Sequence, residues 1–542
     1  MSPLDRLAAL AALRGLARPS VLGRLLESGL VDARRLPATV RAAPWLLGRG
    51  ASLGVLSRIN AGALGDREAL SDRLGTLSWR QLDDRAERVG RALVGLGGGT
   101  VATLLRNGRE QVEVLLGAQK AGLAVAPLNT WARGEELRSA LAQAAPATVV
   151  YDTQHAEQLR EAGVAGVRLA DVGDGGDALA ASVAYGSLVE HHEPGLPPLG
   201  GPRGTPRIVI HTSGTTGKPK GAARRTGLGQ AAPLVGLISV VPYRSDDVIV
   251  CPAPLFHSFG LLTATVAMLL GAKLVLPERF DPEGVLADVE HHGATAASLV
   301  PAMIHRIVEL PDDVRGGYDV SSLRIVLASG SALGRGLRER ARRTFGDVLY
   351  DLYGSTEAGW VAVATPEDMR RRPDAVGRPV PGVDVAVLSP AGDRLGPGET
   401  GELHVVTGAT FEGYTSGEPP GRRPGHVSLG DLGRIDEEGY LFVEGRADDM
   451  VVVGGENVYP VEVEEAIQGL DGVDEVAVVG VDDEELGKVL SAFVVGRVDA
   501  EAVRDQCRKQ LASFKVPRRV EVVDELPRTA TGKVKKRELV GR

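Results

Sequence analysis

The sequence predicts an α/β fold: a large N-terminal domain of two doubly wound sheets plus a small β-barrel, followed by a small α+β C-terminal domain. Three features predict it. Short apolar runs alternate with helical patterns from about residue 65 to about 345, as in parallel sheets. Between 376 and 445 the pattern changes to short β-type runs, glycine-rich turns and prolines. Aromatic residues are only 4% of the chain against 70 glycines, which favours α/β packing over an aromatic-rich β architecture.

The first strand–helix series covers residues 65 to 200. Strand patterns at 100–105 and 123–128 alternate with helical patterns at 111–120 and 135–143, and the glycine- and proline-rich region 170–205 is predicted to be loop. Before this series, residues 1–60 combine leucine and alanine with arginine. They are predicted to form packed helices, with a basic amphipathic surface against membrane lipid as the alternative.

The second series begins at the apolar run 207–211 and continues with predicted strands at 248–251, 273–276, 296–299 and 323–328. The longest apolar stretch, 261–276, is broken by Gly271 and Lys273. It is therefore predicted to be a helix followed by a strand, too short to span a membrane.

The tail forms a unit of its own, with predicted strands at 476–481, 490–495 and 519–523 and a helix at 501–511. The predicted domains are residues 1–447 and 448–542, with the boundary near Asp448.

Composition excludes several classes of function. The net charge of −8 provides no electrostatic footprint for nucleic acid, and the arginines of 335–343 are predicted to cover a solvated helix face. The two cysteines, Cys251 and Cys507, lack the spacing of a zinc, redox or disulfide framework. The first ten residues lack the apolar core of a signal peptide. We therefore expect a soluble, cytoplasmic enzyme.

One loop carries the strongest chemical signal. Glycines and hydroxyl side chains follow the strand pattern 207–211, so backbone N–H groups can approach an oxyanion closely, and two lysines add positive charge. The spacing excludes a Walker A motif, because the position five residues after Gly214 is Pro219. The residues of this predicted phosphate-binding loop are Thr212, Ser213, Gly214, Thr215, Thr216, Gly217, Lys218 and Lys220.

Five further motifs follow in order: 253–260 around His257, 328–332, 353–357, 429–431 with 445–464, and 527–533. Taken singly, each has a structural interpretation. His257 after a strand would be packing, Glu357 after Ser-Thr would cap a helix, and Lys533 in a basic tail would be surface charge.

Taken together, the motifs identify the chain as a member of the adenylate-forming superfamily of acyl-CoA synthetases, peptide-synthetase adenylation domains and beetle luciferases. The resemblance extends from about 60 to 540 and is greatest to bacterial fatty-acyl-CoA synthetases.

The resemblance implies a nucleotide site for ATP and Mg²⁺. Glu357 would bind the metal, Thr356 a phosphate, and Asp431 the ribose hydroxyls, while Arg446 would hold the ribose–phosphate end. The residues expected around the base are Tyr353, stacked on adenine, with Gly354, Ser355, Gly330, Ser331 and Ala332.

The resemblance also assigns roles in the two half-reactions. Lys533 would bridge the carboxylate and the α-phosphate, and His257 would lie between the acyl pocket and the phosphate loop. Asp448 would be the hinge of a mobile C-terminal domain, and the Gly454–Gly455 pair would pass the pantetheine arm of coenzyme A. The sequence departs from the family at Leu429, where Thr or Ser usually stands, and at 425–428, where an aromatic residue is usual.

The expected reaction is activation of a hydrophobic carboxylic acid as acyl-AMP, then transfer to coenzyme A. Apolar linings at 256–260 and 297–303 place medium or long fatty acids first, with a bulky cyclic or polyketide-derived acid as an alternative. Two other functions stay open. The enzyme could adenylate only and pass the acyl group to a carrier protein or partner enzyme, or the chain could bind nucleotide without catalysis. The motifs set no oligomeric state.

Overall fold

The computed structural model describes residues 18–50, 52–164, 167–173, 178–180, 182–200, 207–212, 220–225, 228–355, 358–407, 413–414, 422–423, 426–446, 451–453, 456–483, 487–528 and 534–540. Twenty-seven strands are named here in chain order: β1 Glu68–Asp72, β2 Gly75–Ser78, β3 Thr100–Leu104, β4 Ala124–Pro127, β5 Thr148–Asp152, β6 Arg168–Val172, β7 Val183–Ala184, β8 Arg207–Thr212, β9 Lys220–Arg225, β10 Val248–Val250, β11 Lys273–Val275, β12 Ala296–Leu299, β13 Ile325–Ser329, β14 Leu349–Ser355, β15 Gly359–Ala364, β16 Arg378–Pro379, β17 Val383–Leu388, β18 Gly401–Thr407, β19 Gly413–Tyr414, β20 Arg422–Arg423, β21 His426–Ile435, β22 Leu441–Arg446, β23 Val451–Val453, β24 Glu456–Val458, β25 Val473–Asp483, β26 Gly487–Gly496 and β27 Arg519–Val522.

The helices of the described residues occupy the following spans: Pro19–Glu27, Leu36–Arg49, Leu53–Leu64, Trp79–Gly95, Arg109–Lys120, Gly134–Ala144, Ala156–Ala162, Tyr185–Glu190, Leu228–Val240, Ser258–Leu270, Pro282–His292, Pro301–Val308, Asp312–Arg315, Arg335–Phe345, Pro366–Arg371, Pro460–Gln468, Ala500–Gln510 and Lys536–Leu539. Short 3₁₀ turns lie at Ala33–Arg35, Thr153–His155 and Ser513–Lys515. In this described part of the chain, no helix has both the length and the apolar run that crossing a bilayer requires.

Two large sheets organise the N-terminal part. The first has nine strands in the order β16-β15-β14-β13-β12-β10-β11-β1-β2, parallel from β14 through β1 and antiparallel at both edges. The second has eight strands in the order β19-β9-β8-β4-β3-β5-β6-β7, parallel from β8 through β7. The predicted pair of α/β sheets is therefore confirmed.

The main apolar core lies between these two sheets, since both contribute strand residues to it. Successive residues of a strand face opposite sides of the sheet, so the same strands also contribute to a second cluster. In β10, Ile249 belongs to the central apolar cluster and Val250 to a cluster on the other face of the first sheet. In β3 of the second sheet, Val101 faces the same central cluster and Ala102 faces away from it. Each sheet is thus buried on both faces, as a parallel sheet requires.

The region 376–445 contains a five-stranded antiparallel sheet of β17, β18, β20, β21 and β22, where the sequence predicts a small barrel or sheet. The tail contains the three-stranded sheet β25-β26-β27. Its helices Pro460–Gln468 and Ala500–Gln510 pack on that sheet through an apolar cluster whose described members lie between residues 451 and 520. This separate core agrees with the predicted C-terminal unit, while the boundary at 447/448 lies outside the described residues and stays a prediction.

One secondary-structure prediction is wrong in part. Residues 170–205 are not all loop, because β7 and the helix Tyr185–Glu190 lie within them. Tyr185 is buried, and its hydroxyl donates a hydrogen bond of 2.8 Å to the buried carboxylate of Glu113. A single tertiary contact of this kind can hold a short helix that local sequence does not predict.

Candidate active site

The predicted site residues follow strands whose carboxyl ends lie side by side. In the first sheet, β13 ends at Ser329 next to β14, and the Ser329 hydroxyl donates to the carbonyl of Leu352 at 2.8 Å. In the second sheet, β4 and β8 are parallel neighbours, with Val125 opposite Ile208. Ligands of open α/β sheets bind outside the carboxyl ends of the strands. The topology therefore places the segments that follow β13 and β8 at the carboxyl edges of the two sheets.

The phosphate-binding loop is closed at its base. Thr212 at the end of β8 is the backbone partner of Lys220 at the start of β9, so the two strands form an antiparallel pair around the loop. Only the backbone of these two residues is described. Ser213, Gly214, Thr215, Thr216, Gly217 and Lys218 lie outside the described residues.

The segment 330–332 follows β13 and is exposed. Gly330 has φ +101°, a left-handed conformation that glycine adopts without a Cβ penalty. The turn leaves Ser331 and Ala332 at the carboxyl end of the first sheet, on the side where the base is expected.

Tyr353 and Asp431 meet directly. The Tyr353 hydroxyl in β14 donates to Oδ2 of Asp431 in β21 at 2.5 Å. Asp431 is the backbone partner of Arg446 across β21 and β22. Three residues predicted to surround the nucleoside are thus brought together, and the carboxylate keeps acceptor capacity beyond the tyrosine.

Gly354 permits a close crossing of two strands. A Cβ at this position would lie 2.1 Å from the carbonyl oxygen of Gly359 in β15. The Ser355 hydroxyl accepts a hydrogen bond of 3.1 Å from the amide of Ala358, so β14 returns directly as β15. Strands rather than a helix start therefore flank Thr356 and Glu357, which lie outside the described residues.

His257 precedes the helix Ser258–Leu270, which begins at the end of the β10 loop. Its ring lies 4.5 Å from the ring of Phe256, centroid to centroid. A Cβ on Gly260 would approach the carbonyl oxygen of Pro254 to 2.3 Å, which explains the glycine in this motif. The motif therefore folds as one tight turn that presents Phe256 and His257.

Two residues of this region were not singled out by sequence reasoning. The buried amide of Asn107 donates to the Ala253 carbonyl at 3.1 Å and accepts from the Leu255 amide at 3.0 Å. The ring of Trp131 lies 5.2 Å from that of Phe256. Their place in the sequence could have indicated them, because Asn107 follows the carboxyl end of β3 and Trp131 follows the carboxyl end of β4, where ligands of such sheets bind.

The C-terminal site residues are framed by described neighbours. Gly454 and Gly455 lie between β23 and β24, whose ends Val453 and Glu456 are backbone partners. Lys533 lies between Arg528 and Val534, which form an isolated antiparallel bridge. Asp448, Gly454, Gly455 and Lys533 themselves lie outside the described residues.

The described residues contain no group of three or more His, Cys, Asp or Glu side chains that could hold a metal ion. The predicted Mg²⁺ ligand, Glu357, is not among them, so the magnesium site stays a prediction.

Comparisons with known proteins bear on the class of enzyme. The model of the AMP-binding enzyme family matches residues 58–415, and that of the AMP-binding enzyme C-terminal domain matches 462–533. The indoleacetate–CoA ligase of Aromatoleum aromaticum is 35% identical over 494 residues, covering 86% of this chain and 94% of that protein. A feruloyl-CoA synthase from Amycolatopsis is 33% identical, covering 85% of this chain and 93% of its own.

Among solved structures, the amide bond synthetase McbA from Marinactinospora thermotolerans superimposes with a TM-score of 0.80 at 27% identity, covering 90% of this chain and 99% of its own. The predicted class, an AMP-forming acid–thiol ligase of the acyl-CoA synthetase branch, is confirmed by these matches. From its two matching domains and its near full-length relatives, we conclude that the chain belongs to the AMP-binding enzyme family.

Proposed function

We propose that this enzyme activates a ring-bearing carboxylic acid, aryl-substituted or cyclic, as its acyl-adenylate and then transfers the acyl group to coenzyme A. The observation that carries the proposal is the near full-length similarity to a ligase named for indoleacetate, supported by a synthase named for feruloyl-CoA. The sequence placed fatty acids first and a cyclic acid second. The names of these relatives favour the second.

In the first step, a carboxylate oxygen of the acid attacks the α-phosphorus of ATP and pyrophosphate leaves. We assign Lys533 to the carboxylate and α-phosphate, and the loop from Thr212 to Lys220 to the phosphates. A magnesium ion held by Glu357 would neutralise triphosphate charge when bound. Thr356 would add a hydroxyl donor to a phosphate oxygen.

The ribose of ATP is held by Asp431, which is paired with Tyr353. Asp431 accepts a hydrogen bond from the Tyr353 hydroxyl, and this bond sets the orientation of the carboxylate. A carboxylate held in this way loses little conformational freedom when the ribose hydroxyls bind to it. It can therefore orient ATP better than a mobile side chain would. Arg446, opposite Asp431 in the strand pair, would hold the ribose–phosphate end.

In the second step, the C-terminal domain would rotate about Asp448 and bring Gly454 and Gly455 to the pantetheine arm. The coenzyme A sulfur attacks the acyl carbonyl, its proton leaves, and AMP departs with the bonding electrons. The high pKa values of the two protein thiols support direct transfer of the acyl group from AMP to coenzyme A, without an acyl-enzyme thioester. Burial raises the pKa of Cys251 to about 12 and that of Cys507 to about 11, so neither is poised as a nucleophile.

A second candidate is adenylation followed by transfer to a different nucleophile, a carrier-protein thiol or an amine. The similarity to a protein named amide bond synthetase favours it, because that relative shares nearly the whole fold at 27% identity.

The test is product analysis by mass spectrometry. Purified protein is incubated with ATP, Mg²⁺ and separate acids, namely indoleacetate, ferulate, decanoate and palmitate, with and without coenzyme A. We expect a ring-bearing acyl-CoA with AMP and pyrophosphate. Thioesters of the straight-chain acids alone would refute the substrate class, and acyl-AMP that persists in the presence of coenzyme A would favour the second candidate.

A further inference from the structure

Trp131 is a large aromatic side chain that the structure leaves 47% exposed at the edge of the candidate site. Its ring meets that of Phe256 at 5.2 Å and an interplanar angle of 79°, and the ring of His257 lies 6.3 Å away. Phe256 is only 7% exposed. The three rings form one aromatic cluster, of which Trp131 is the solvent-facing member.

The cluster joins the two large sheets. Trp131 follows β4 of the second sheet, whereas Phe256 and His257 follow β10 of the first. Because β4 is the parallel neighbour of β8, the turn bearing Trp131 starts beside the strand that leads into the phosphate loop. An acid whose carboxylate reaches the α-phosphate would thus have its acyl part beside this cluster.

Both loops of the cluster are held by buried amides. Gln158, 2% exposed, donates to the carbonyls of Thr130 and Ala132 at 2.9 and 3.1 Å, on either side of Trp131. Asn107 holds the other loop through Ala253 and Leu255. Residues whose backbone is fixed in this way lose little entropy when they contact a ligand.

The backbone of Trp131 itself is also set, because its amide donates to Oδ1 of Asn129 at 2.9 Å. Although the indole packs edge-on against Phe256, about half of the residue stays exposed to solvent. Its free surface can lie on a flat ligand, and aromatic pairs with centroids about 4.5–7 Å apart attract beyond their buried area.

We propose that Trp131 is a specificity-determining residue that contacts the acyl part of the acid and favours rings over straight chains. This inference rests on the proposed function, since it concerns which acid is adenylated. Phe256 forms the inner wall of the same contact, and Trp131 forms the outer one.

The test is the adenylation half-reaction alone, followed as acid-dependent ATP–pyrophosphate exchange without coenzyme A. Trp131→Ala and Trp131→Phe are compared with Leu74→Ala, which removes an exposed apolar side chain from the β1–β2 turn, 58% exposed. Indoleacetate and decanoate are the two acids. For Trp131→Ala we expect KM for the ring acid to rise about tenfold, the loss of one aromatic contact, with kcat little changed.

The Phe variant should restore most of the affinity, and KM for ATP and decanoate should change little in either variant. An unchanged KM for the ring acid in Trp131→Ala would overturn the inference. So would an effect confined to KM for coenzyme A in the complete reaction, which would place Trp131 on the pantetheine. If the wild-type enzyme activates no ring-bearing acid, the proposed function is wrong, and the ring selectivity assigned to Trp131 is wrong with it. This outcome is seen with the wild type alone, so it is distinct from the variant results.

Discussion

Tyr353 and Asp431 stand 78 positions apart in the sequence and meet through a hydrogen bond of 2.5 Å. Both are half-buried, and each belongs to a different sheet, β14 in the first and β21 in the five-stranded one. The bond from Tyr353 therefore sets the orientation of the Asp431 carboxylate, the predicted acceptor for the ribose hydroxyls. Hydrogen bonds to charged acceptors contribute about 1.5–3 kcal/mol net, so its loss should be measurable.

For Tyr353→Phe, the ring that would stack on adenine stays and only the donor is lost. We expect kcat/KM for ATP in acyl-AMP formation to fall about tenfold or more, because the Asp431 carboxylate is no longer oriented. Tyr350→Phe removes a hydroxyl from the same strand and is the matched control. Equal kinetics for both variants would show that the bond does not serve nucleotide binding.

The two cysteines provide a test of whether a protein thiol takes part in the reaction. Because burial raises the pKa of Cys251 to about 12, its thiolate fraction at pH 8 is on the order of one in ten thousand. We expect iodoacetamide at pH 8 to leave adenylation intact and to label both cysteines only in denaturant. Rapid inactivation of the native enzyme would contradict a site without a working thiol.

The site residues that the sequence predicts belong to contiguous motifs, such as those around Tyr353 and His257. Asn107 and Trp131 were missed because their roles depend on contacts between two sheets. The Asn107 side chain bonds to Ala253, 146 positions away. No local pattern encodes such a pairing, so only the folded chain identifies it.

Helices Trp79–Gly95 and Arg109–Lys120 pack around a buried cluster of three charged side chains. The Lys120 ammonium is fully buried, donates to Oδ1 of Asp83 at 2.5 Å and lies 3.5 Å from Oε1 of Glu87. Both carboxylate side chains are 1% exposed. Removing one partner of a buried ion pair leaves uncompensated charge and costs about 3–5 kcal/mol.

Lys120→Met should therefore lower the midpoint of thermal unfolding by several degrees, although Arg58 still contacts both carboxylates. Arg342→Met is the control, because its pair with Glu339 is about half exposed and such pairs contribute about 0–1 kcal/mol. Scanning calorimetry compares the two. A shift no larger than that of the control would mean that the cluster does not stabilise the helix pair.

Elements of regular pattern were predictable: the strand at 296–299 and the helix at 501–511 agree with β12 and with Ala500–Gln510 to within a residue. The helix Tyr185–Glu190 was not, because six residues carry little periodicity and the contact from Tyr185 to Glu113 supplies the stability. The antiparallel return of β8 as β9 was also absent from the sequence prediction, since it depends on strand pairing.

The helix Pro460–Gln468 of the C-terminal part lies against the helix Arg335–Phe345 and β22 of the N-terminal part. Gly334 immediately precedes the helix Arg335–Phe345, and a Cβ at this position would lie 3.6 Å from Cγ of Gln468. Rotation about Asp448 would break these contacts and form others. Under the proposed mechanism, the two half-reactions would use two arrangements of the same pair of units.

Asp448→Pro should slow thioester formation more than adenylation, because proline fixes φ near −65° and restricts the hinge. Asp448→Ala keeps backbone freedom and should resemble the wild type in both steps. Single-turnover measurements of acyl-AMP formation and of acyl-CoA formation separate the two. Equal losses in both steps for the proline variant would place the hinge elsewhere.

Acid-dependent ATP–pyrophosphate exchange in the absence of coenzyme A shows whether the enzyme activates its acid through an acyl-adenylate. We expect exchange with a ring-bearing acid and Mg²⁺, loss of that exchange in Lys533→Ala, and retained transfer from preformed acyl-AMP to coenzyme A in that variant. Exchange that requires coenzyme A, or formation of ADP and phosphate instead of AMP and pyrophosphate, would contradict it.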